Sequence, residues 1–200
     1  MVKADSPIRT VADLKGKRVG FKKGSSTQNL LLAALGQAGI AWSDVTPLDL
    51  SPADAAAAFD RDSIDAWSIW DAFFAVAQDR YAPRVLATSD QTLDANTFLL
   101  ANPAFPTAHP GVIRDAITAL GRTADWAEAN KGEVAAAVHA ETKVDLAALE
   151  RAIGRASFFV LPIDDRIIKN QQATADRFQA LGLIPKPILI REAVWTPQQT

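Results

Sequence analysis

The first half of the chain alternates short apolar runs with helix-like segments, and this alternation restricts the possible folds more than any other feature. Helices are predicted at residues 25–38, after Ser51 and after Asp71. Because parallel strands require crossover connections, which helices usually provide, the pattern predicts an α/β domain with a parallel sheet. The apolar runs predicted to be its strands are residues 18–21, 45–51, 64–70 and 84–88.

The second half of the chain has a different pattern. A fifth apolar run at residues 97–101 is predicted to be the last strand, and Asn102 and Pro103 are predicted to end the alternation. We therefore predict two segments, an α/β ligand-binding domain at residues 10–95 and a helical segment with an extended tail at residues 96–200. The helices predicted in the second segment are residues 111–130, 131–140, 145–157 and 164–181.

The predicted helices of the second segment have apolar faces that require a partner surface. The clearest stripe is Leu146, Leu149, Ile153 and Ala156, and a less regular set is Ile167, Ile168, Ala175 and Phe178. Since no second sheet is predicted to cover them, we expect a second copy of the chain or a further N-terminal segment to do so. Packing on the α/β half is the alternative.

The composition excludes several classes of protein. With 48% hydrophobic and 22% charged residues and a net charge of -2, the chain has the profile of a globular protein without a basic nucleic-acid surface. It has no cysteine, and its two histidines, His109 and His139, are far apart, so we predict no metal site and no cofactor. No apolar run has transmembrane length, and no signal peptide is predicted at the N-terminus.

The first candidate site is the turn Gly24-Ser25-Ser26-Thr27, between the first predicted strand and its helix. The open amides of a helix start, together with the helix dipole, attract anions, and ligands of open α/β sheets bind beyond the carboxyl ends of strands. The turn matches neither a Walker A loop nor a dinucleotide-binding fingerprint, so no nucleotide is implied. The alternative is that Ser25 or Ser26 only caps the helix.

Two further candidates are less specific. Trp70, at the end of the third predicted strand, is placed to wall an apolar ligand tail, whereas Trp67 is predicted to pack in the core. Asp71 is predicted first as a helix cap, and Asn96 either lines a ligand cleft or bonds its own loop. No catalytic constellation is found, since neither histidine lies in the context of a triad.

Several motifs together resemble the aliphatic sulfonate-binding proteins of bacterial ABC importers, which belong with the taurine- and nitrate-type periplasmic receptors. They are SPIRTVADLKGKRVGFKKGSS, DAWSIWDAFFA, RVLAT, NTFLLA and ALGLIPKPILIREAVW, and they extend from Ser6 to Trp195.

The resemblance implies a class II periplasmic binding protein, in which helix starts facing an interdomain cleft hold the anion. It implies that Gly24, Ser25, Ser26 and Thr27 contact the ligand from the second lobe. The sequence WDAFF resembles the family's Trp-Asp-Pro motif, with Trp70 and Asp71 retained and Ala72 in place of the proline.

The resemblance also implies that an N-terminal half-domain is missing, so that the chain corresponds to the second lobe plus the returning helices of the first. The implied function is capture of a small organic anion, most simply an aliphatic sulfonate, in the periplasm and its delivery to an ABC permease, without chemistry. Residues 96–200 would then form the helical return and tail of the first lobe.

Two alternatives are kept. One is an enzyme or a pyrimidine-precursor-binding protein of the thiamine-synthesis type on the same fold, although the histidine-rich metal chemistry of such proteins disagrees with two isolated histidines. The other alternative is a truncated, non-binding fragment that self-associates through exposed helices.

Overall fold

A parallel sheet organises the first part of the chain. The computed structural model describes residues 1–93 and 96–196, and in these residues the sheet has three strands, β1 (Arg18–Phe21), β2 (Thr46–Asp49) and β3 (Ala66–Trp67), in the order β2-β1-β3. Gly20 of the central strand pairs with Leu48 on one side and Trp67 on the other. A Cβ atom at Gly20 would lie 2.7 Å from the Ile64 side chain, so a larger residue would disturb this contact.

Helices follow the strands and form most of the rest of the described residues. Ser51 caps α2 (Pro52–Asp60) by accepting from the Asp54 amide, with Pro52 at the first helical position, and Asp145 caps α8 (Leu146–Arg155) by accepting from the Ala148 amide. The helices are α1 (Ser26–Gln37), α2 (Pro52–Asp60), α3 (Phe73–Tyr81), α4 (Ser89–Thr92), α5 (Ala104–Ala108), α6 (Pro110–Ala129), α7 (Lys131–Thr142), α8 (Leu146–Arg155) and α9 (Asp165–Ala180). None of these helices is long and apolar enough to cross a lipid bilayer within the described ranges.

The chain divides into two compact units. The first unit is Met1–Ala95 with Ala173–Pro187, and the second unit is Asn96–Gln172 with Ile188–Thr200. Residues 173–187, predicted with the helical segment, belong to the first unit because Asn29 of α1 bonds the side chains of Thr174 and Arg177. The assignment of residues 10–95 and 96–200 to two lobes stays a prediction. The last residues of the second segment, 197–200, lie outside the described residues.

The core of the first unit lies on the two faces of the sheet. One cluster includes Val2, Val19, Phe21 and Leu35, and the Trp42 ring packs edge-on against Phe21 at 5.4 Å. The other cluster is Ala55, Phe59, Ile64, Trp67 and Ala77. Phe59 is 1% exposed and its ring contacts those of Trp67 and Tyr81. The prediction that Trp67 is a core residue is confirmed.

The second unit is helical and is held together partly by polar contacts. The Lys131 ammonium donates to the Ala156 carbonyl and pairs with Glu128, whose carboxylate also accepts from the Phe158 amide. These two donors hold the pKa of Glu128 below its ordinary value. Leu149 and Ala135 are buried between α7 and its neighbour α8.

Two predicted strands are wrong. Of residues 84–88, only Arg84 makes a β-bridge, an isolated antiparallel one with Val2. Residues 97–101 form no strand because no neighbouring strand pairs with them in the described residues, and Leu99 and Leu100 are 56% and 86% exposed. The third predicted strand is shorter than expected, since β3 ends at Trp67.

Two predictions about helices also need correction. The predicted stripe on α8 is rotated, because the buried face consists of Ala148, Leu149 and Ala152 while Leu146 is 37% exposed. Ala156 follows the end of this helix. In the predicted break after Asn102, the short helix α5 forms.

Candidate anion site at the start of α1

The loop from Lys22 to Ser25 connects the carboxyl end of β1 to the start of α1. Gly24 has φ +71°, a left-handed conformation that glycine adopts without the strain that a side chain brings. A Cβ atom at this position would meet nothing within 4 Å, so glycine is required here for its backbone conformation rather than for space. The turn presents the first amides of α1 at the sheet edge where ligands of α/β proteins bind.

The hydroxyl groups of Ser25 and Thr27 are used within the loop. The Ser25 hydroxyl donates to the Lys22 carbonyl at 2.6 Å, so across the 2.8 Å contact between the two hydroxyls the Thr27 hydroxyl is the donor. The Thr27 oxygen also accepts from the Lys22 amide, and the Ser25 oxygen accepts from the Thr27 amide. Each hydroxyl has one hydrogen, so neither has a hydrogen left for a ligand in this arrangement. Ser25 is thus the helix cap that the alternative interpretation expected.

Ser26 differs from its two neighbours. Its side chain is exposed, and neither its hydroxyl nor its backbone amide has a hydrogen-bond partner among residues 1–93 and 96–196. The backbone amide of Gln28 is also without an acceptor in this part of the chain. These groups lie in the first turn of α1, where amides lack helical partners and the helix dipole is positive. They are donors without an acceptor in the loop, exposed at Ser26 and almost wholly buried at Gln28.

Asp49, the last residue of β2, modifies the charge around the loop. Its carboxylate accepts from the Lys22 ammonium at 2.8 Å and from the Lys23 amide at 2.9 Å. These two bonds, in that order, lower the pKa of Asp49 from its ordinary value. The charge of Lys22 is therefore balanced, whereas the exposed Lys23 has no ion pair among the described residues.

Ser68 is a site-forming residue that the sequence interpretation missed. Its amide donates to the Gly20 carbonyl and its hydroxyl donates to the Thr27 carbonyl, both at 2.9 Å. Ser68 therefore ties the segment after β3 to the first turn of α1. The available signal was a small hydroxyl residue between two apolar ones at the end of a predicted strand.

Trp70 and Asp71 follow the same segment. The half-buried Trp70 ring packs edge-on against Phe73 at 6.1 Å. The sequence predicted Asp71 at the N-cap position of the next helix, but α3 begins at Phe73 and its N-cap position is Ala72, one residue later. The peptide bond between Asp71 and Ala72 is cis. The ligand roles of Trp70 and Asp71 stay predictions.

Asn96, the remaining candidate, belongs to the second unit and is half-buried. Its ligand role also stays a prediction. In the described residues, no group of three or more histidine, aspartate and glutamate side chains is arranged to hold a metal ion.

Comparison with known proteins supports a receptor fold. A family model described as NMT1/THI5 like matches residues 1–134. An aliphatic sulfonates-binding protein of Escherichia coli (strain K12) is 36% identical over 211 residues, which cover 100% of this chain and 63% of the relative.

Two solved structures are similar over nearly the whole chain. The periplasmic aliphatic sulphonate binding protein SsuA from Escherichia coli matches with a TM-score of 0.93 at 34% identity, covering 100% of this chain and 65% of that one. The alkanesulfonate-binding protein SsuA from Xanthomonas axonopodis pv. citri, bound to MOPS, matches with a TM-score of 0.86 at 37% identity, covering 97% and 68%. The chain, which spans about two thirds of the length of these proteins, belongs to the NMT1/THI5-like family and has the fold of the SsuA periplasmic binding proteins.

Proposed function

We propose that this chain binds a small organic anion, most simply an aliphatic sulfonate, at the start of α1. The observation that carries the proposal is the set of open donors in the first turn, the Ser26 amide and hydroxyl and the Gln28 amide. The similar proteins named for sulfonate binding support the choice of ligand.

A sulfonate fits these donors for chemical reasons. It stays ionised at ordinary pH and offers three acceptor oxygens, so it needs N–H and O–H donors but no general base. We propose that Trp70, whose ring packs edge-on against Phe73, provides an apolar surface for the alkyl group of the ligand. Binding of this kind involves no covalent step, and we infer that the chain is a binding protein and not an enzyme.

The same comparison supports a proposal for the physiological role. We infer that the protein works in the periplasm and delivers its ligand to the permease of an ABC importer, as a substrate-binding protein. We also propose that the chain associates with a second copy through exposed helices, for which α6 is the best candidate. This helix carries four large apolar side chains that are 37% to 54% exposed, Val112, Ile117, Leu120 and Trp126.

The binding proposal is tested by NMR titration of the chain with an alkanesulfonate. We expect saturable shifts of the Ser26 and Gln28 amides at millimolar concentrations, because the proposed site offers only the few donors of one helix start. An alkyltrimethylammonium ion of the same chain length should leave these amides unchanged. A micromolar constant would mean that this part of the protein is sufficient for tight binding.

Two serine-to-aspartate variants, one at the proposed site and one away from it, test whether the anion binds at the start of α1. Ser26→Asp places a carboxylate beside the open amides and should abolish the shifts, since like charges repel. Ser63→Asp makes the same change at an exposed position before β3 and should bind like the wild type. The proposal is wrong if the sulfonate leaves the amides of the first turn unchanged, or if Ser26→Asp binds as the wild type does.

A further inference from the structure

Gln28 is a buried polar residue in the first turn of α1, and its side chain is only half satisfied. The residue is 3% exposed. Its Oε1 atom accepts from the Gly24 amide at 2.7 Å. Its Nε2 group has no acceptor among the described residues. Although the residue is almost wholly buried, this nitrogen is not completely shielded from solvent.

The bond to Gly24 fixes where this amide nitrogen lies. Because Oε1 is held 2.7 Å from the Gly24 nitrogen and the side-chain amide is planar and small, Nε2 lies within about 5 Å of the Gly24 nitrogen. The Gly24 backbone N–H also shows which terminal atom of the Gln28 side chain is the oxygen. If the nitrogen faced Gly24, two N–H donors would point at each other. The Nε2 group therefore lies beside the same loop that contains the amides without an acceptor.

Burial gives this arrangement a consequence for binding. A polar side chain that is almost wholly buried has lost most of its rotamer freedom before a ligand arrives, so a hydrogen bond to the ligand costs little further ordering. An amide N–H is neutral, so it adds a donor for an anion without attracting a metal or requiring a proton transfer. The side chain of Gln28 thus extends the donor set of the loop beyond Ser26.

We propose that Gln28 contacts the ligand directly, with Nε2 donating to an oxygen of the bound anion and Oε1 held in place by the Gly24 amide. The inference rests on the proposed anion site. In this role, Gln28 favours anions with several acceptor oxygens over anions with few acceptor atoms.

Two substitutions separate this contact from a structural role. Gln28→Glu keeps an acceptor for the Gly24 amide but replaces the donor with an oxygen, whereas Gln28→Met removes both. We expect either variant to weaken alkanesulfonate binding by about ten- to a hundredfold at pH 7, the range for a hydrogen bond to a charged group. Gln37→Glu, at the exposed end of the same helix, controls for the charge change and should bind normally.

The pH profile is the readout that a structural role would not change. A sulfonate stays ionised throughout, so wild-type binding should be flat between about pH 4 and pH 7. Gln28→Glu should regain affinity as the pH falls toward about 4.3, because the protonated carboxyl group again offers a donor hydrogen. Circular dichroism at each pH checks that the variant remains folded.

The outcomes distinguish this inference from the proposed function. If the wild type binds and Gln28→Met binds equally well, the Gln28 contact is wrong and the anion site stands. If the wild type binds and Gln28→Glu is weak at every pH while folded, the donor role is also wrong. If the wild type shows no shifts in the first turn, the anion site itself is wrong, and the Gln28 contact with it.

Discussion

The two units of the molecule bury their large apolar residues to different extents. In the first unit, Val2, Val19, Leu35 and Phe59 are at most 1% exposed, and they lie against a parallel sheet. In the second unit, helix α6 and the extended segments outside the helices leave large apolar side chains in contact with solvent. Those that are more than half exposed are Leu99, Leu100, Val112, Phe159, Leu161 and Leu189.

The difference follows from what each unit has to pack against. A sheet buries residues on both faces once helices cover it, so short strands such as β1 are enough to anchor a core. The second unit has helices but no sheet in the described residues, and its extended segments lack strand partners. We infer that stability is concentrated in the first unit, while the second unit has surface available for association.

The largest effect is expected from a core substitution in the first unit. Phe59→Ala removes a ring that contacts Trp67 and Tyr81 and should cost about 3–5 kcal/mol of unfolding free energy, through lost burial and a cavity. Leu100→Ala, at a side chain that is 86% exposed in the second unit, should change stability by less than about 0.5 kcal/mol. Urea unfolding measures the free energy of unfolding of each variant. A similar loss of stability in the two variants would contradict the inference that stability is concentrated in the first unit.

The second prediction concerns association through the second unit. Analytical ultracentrifugation should show concentration-dependent association of the wild type, because exposed apolar side chains on one helix favour a partner surface. Leu120→Glu on α6 should weaken this association by about tenfold, since it removes apolar area and adds a charge. Thr118→Glu adds the same charge on the same helix without removing a large apolar side chain. A wild type that stays monomeric at all concentrations would contradict the association.

Much of the first unit could be predicted from the sequence, because its signals are local. β1, the cap of α2 and the core position of Trp67 follow from short apolar runs, a serine before proline and the end of a strand. The position of α1 was predicted to within one residue at each end. These elements depend on residues close together in sequence.

The failures depend on strand pairing between distant residues and on the conformation of a loop. Residues 97–101 have a strand-like sequence, but a strand requires a neighbour, and composition does not reveal whether one is present. At the site, the glycine turn was visible in the sequence. The hydrogen bonds that consume the Ser25 and Thr27 hydroxyls, and the one that orients Gln28, depend on the loop conformation.

The smallest expected effect compares one ion pair from each unit. In the first unit, the Asp65 carboxylate accepts from the Arg18 amide and from two guanidinium nitrogens, at 2.7 to 3.1 Å. In the second unit, Asp165 pairs with Arg191, but the two side chains are 85% and 68% exposed. Asp65→Asn should therefore cost about 1 kcal/mol after allowance for solvent screening, and Asp165→Asn only a few tenths.

The pH dependence sharpens this last comparison. Hydrogen bonding to the Arg18 side chain is the main reason that the pKa of Asp65 is lowered in the folded state. A carboxyl group of this kind stabilises the fold above its unfolded pKa, about 3.9, and that contribution is lost as the pH falls through the lower folded value. The stability gap between wild type and Asp65→Asn should be constant from pH 5 to 8 and shrink below about pH 4. Urea titrations at each pH measure the gap, and one that persists unchanged at pH 2 would show that the ionised carboxylate is not its source.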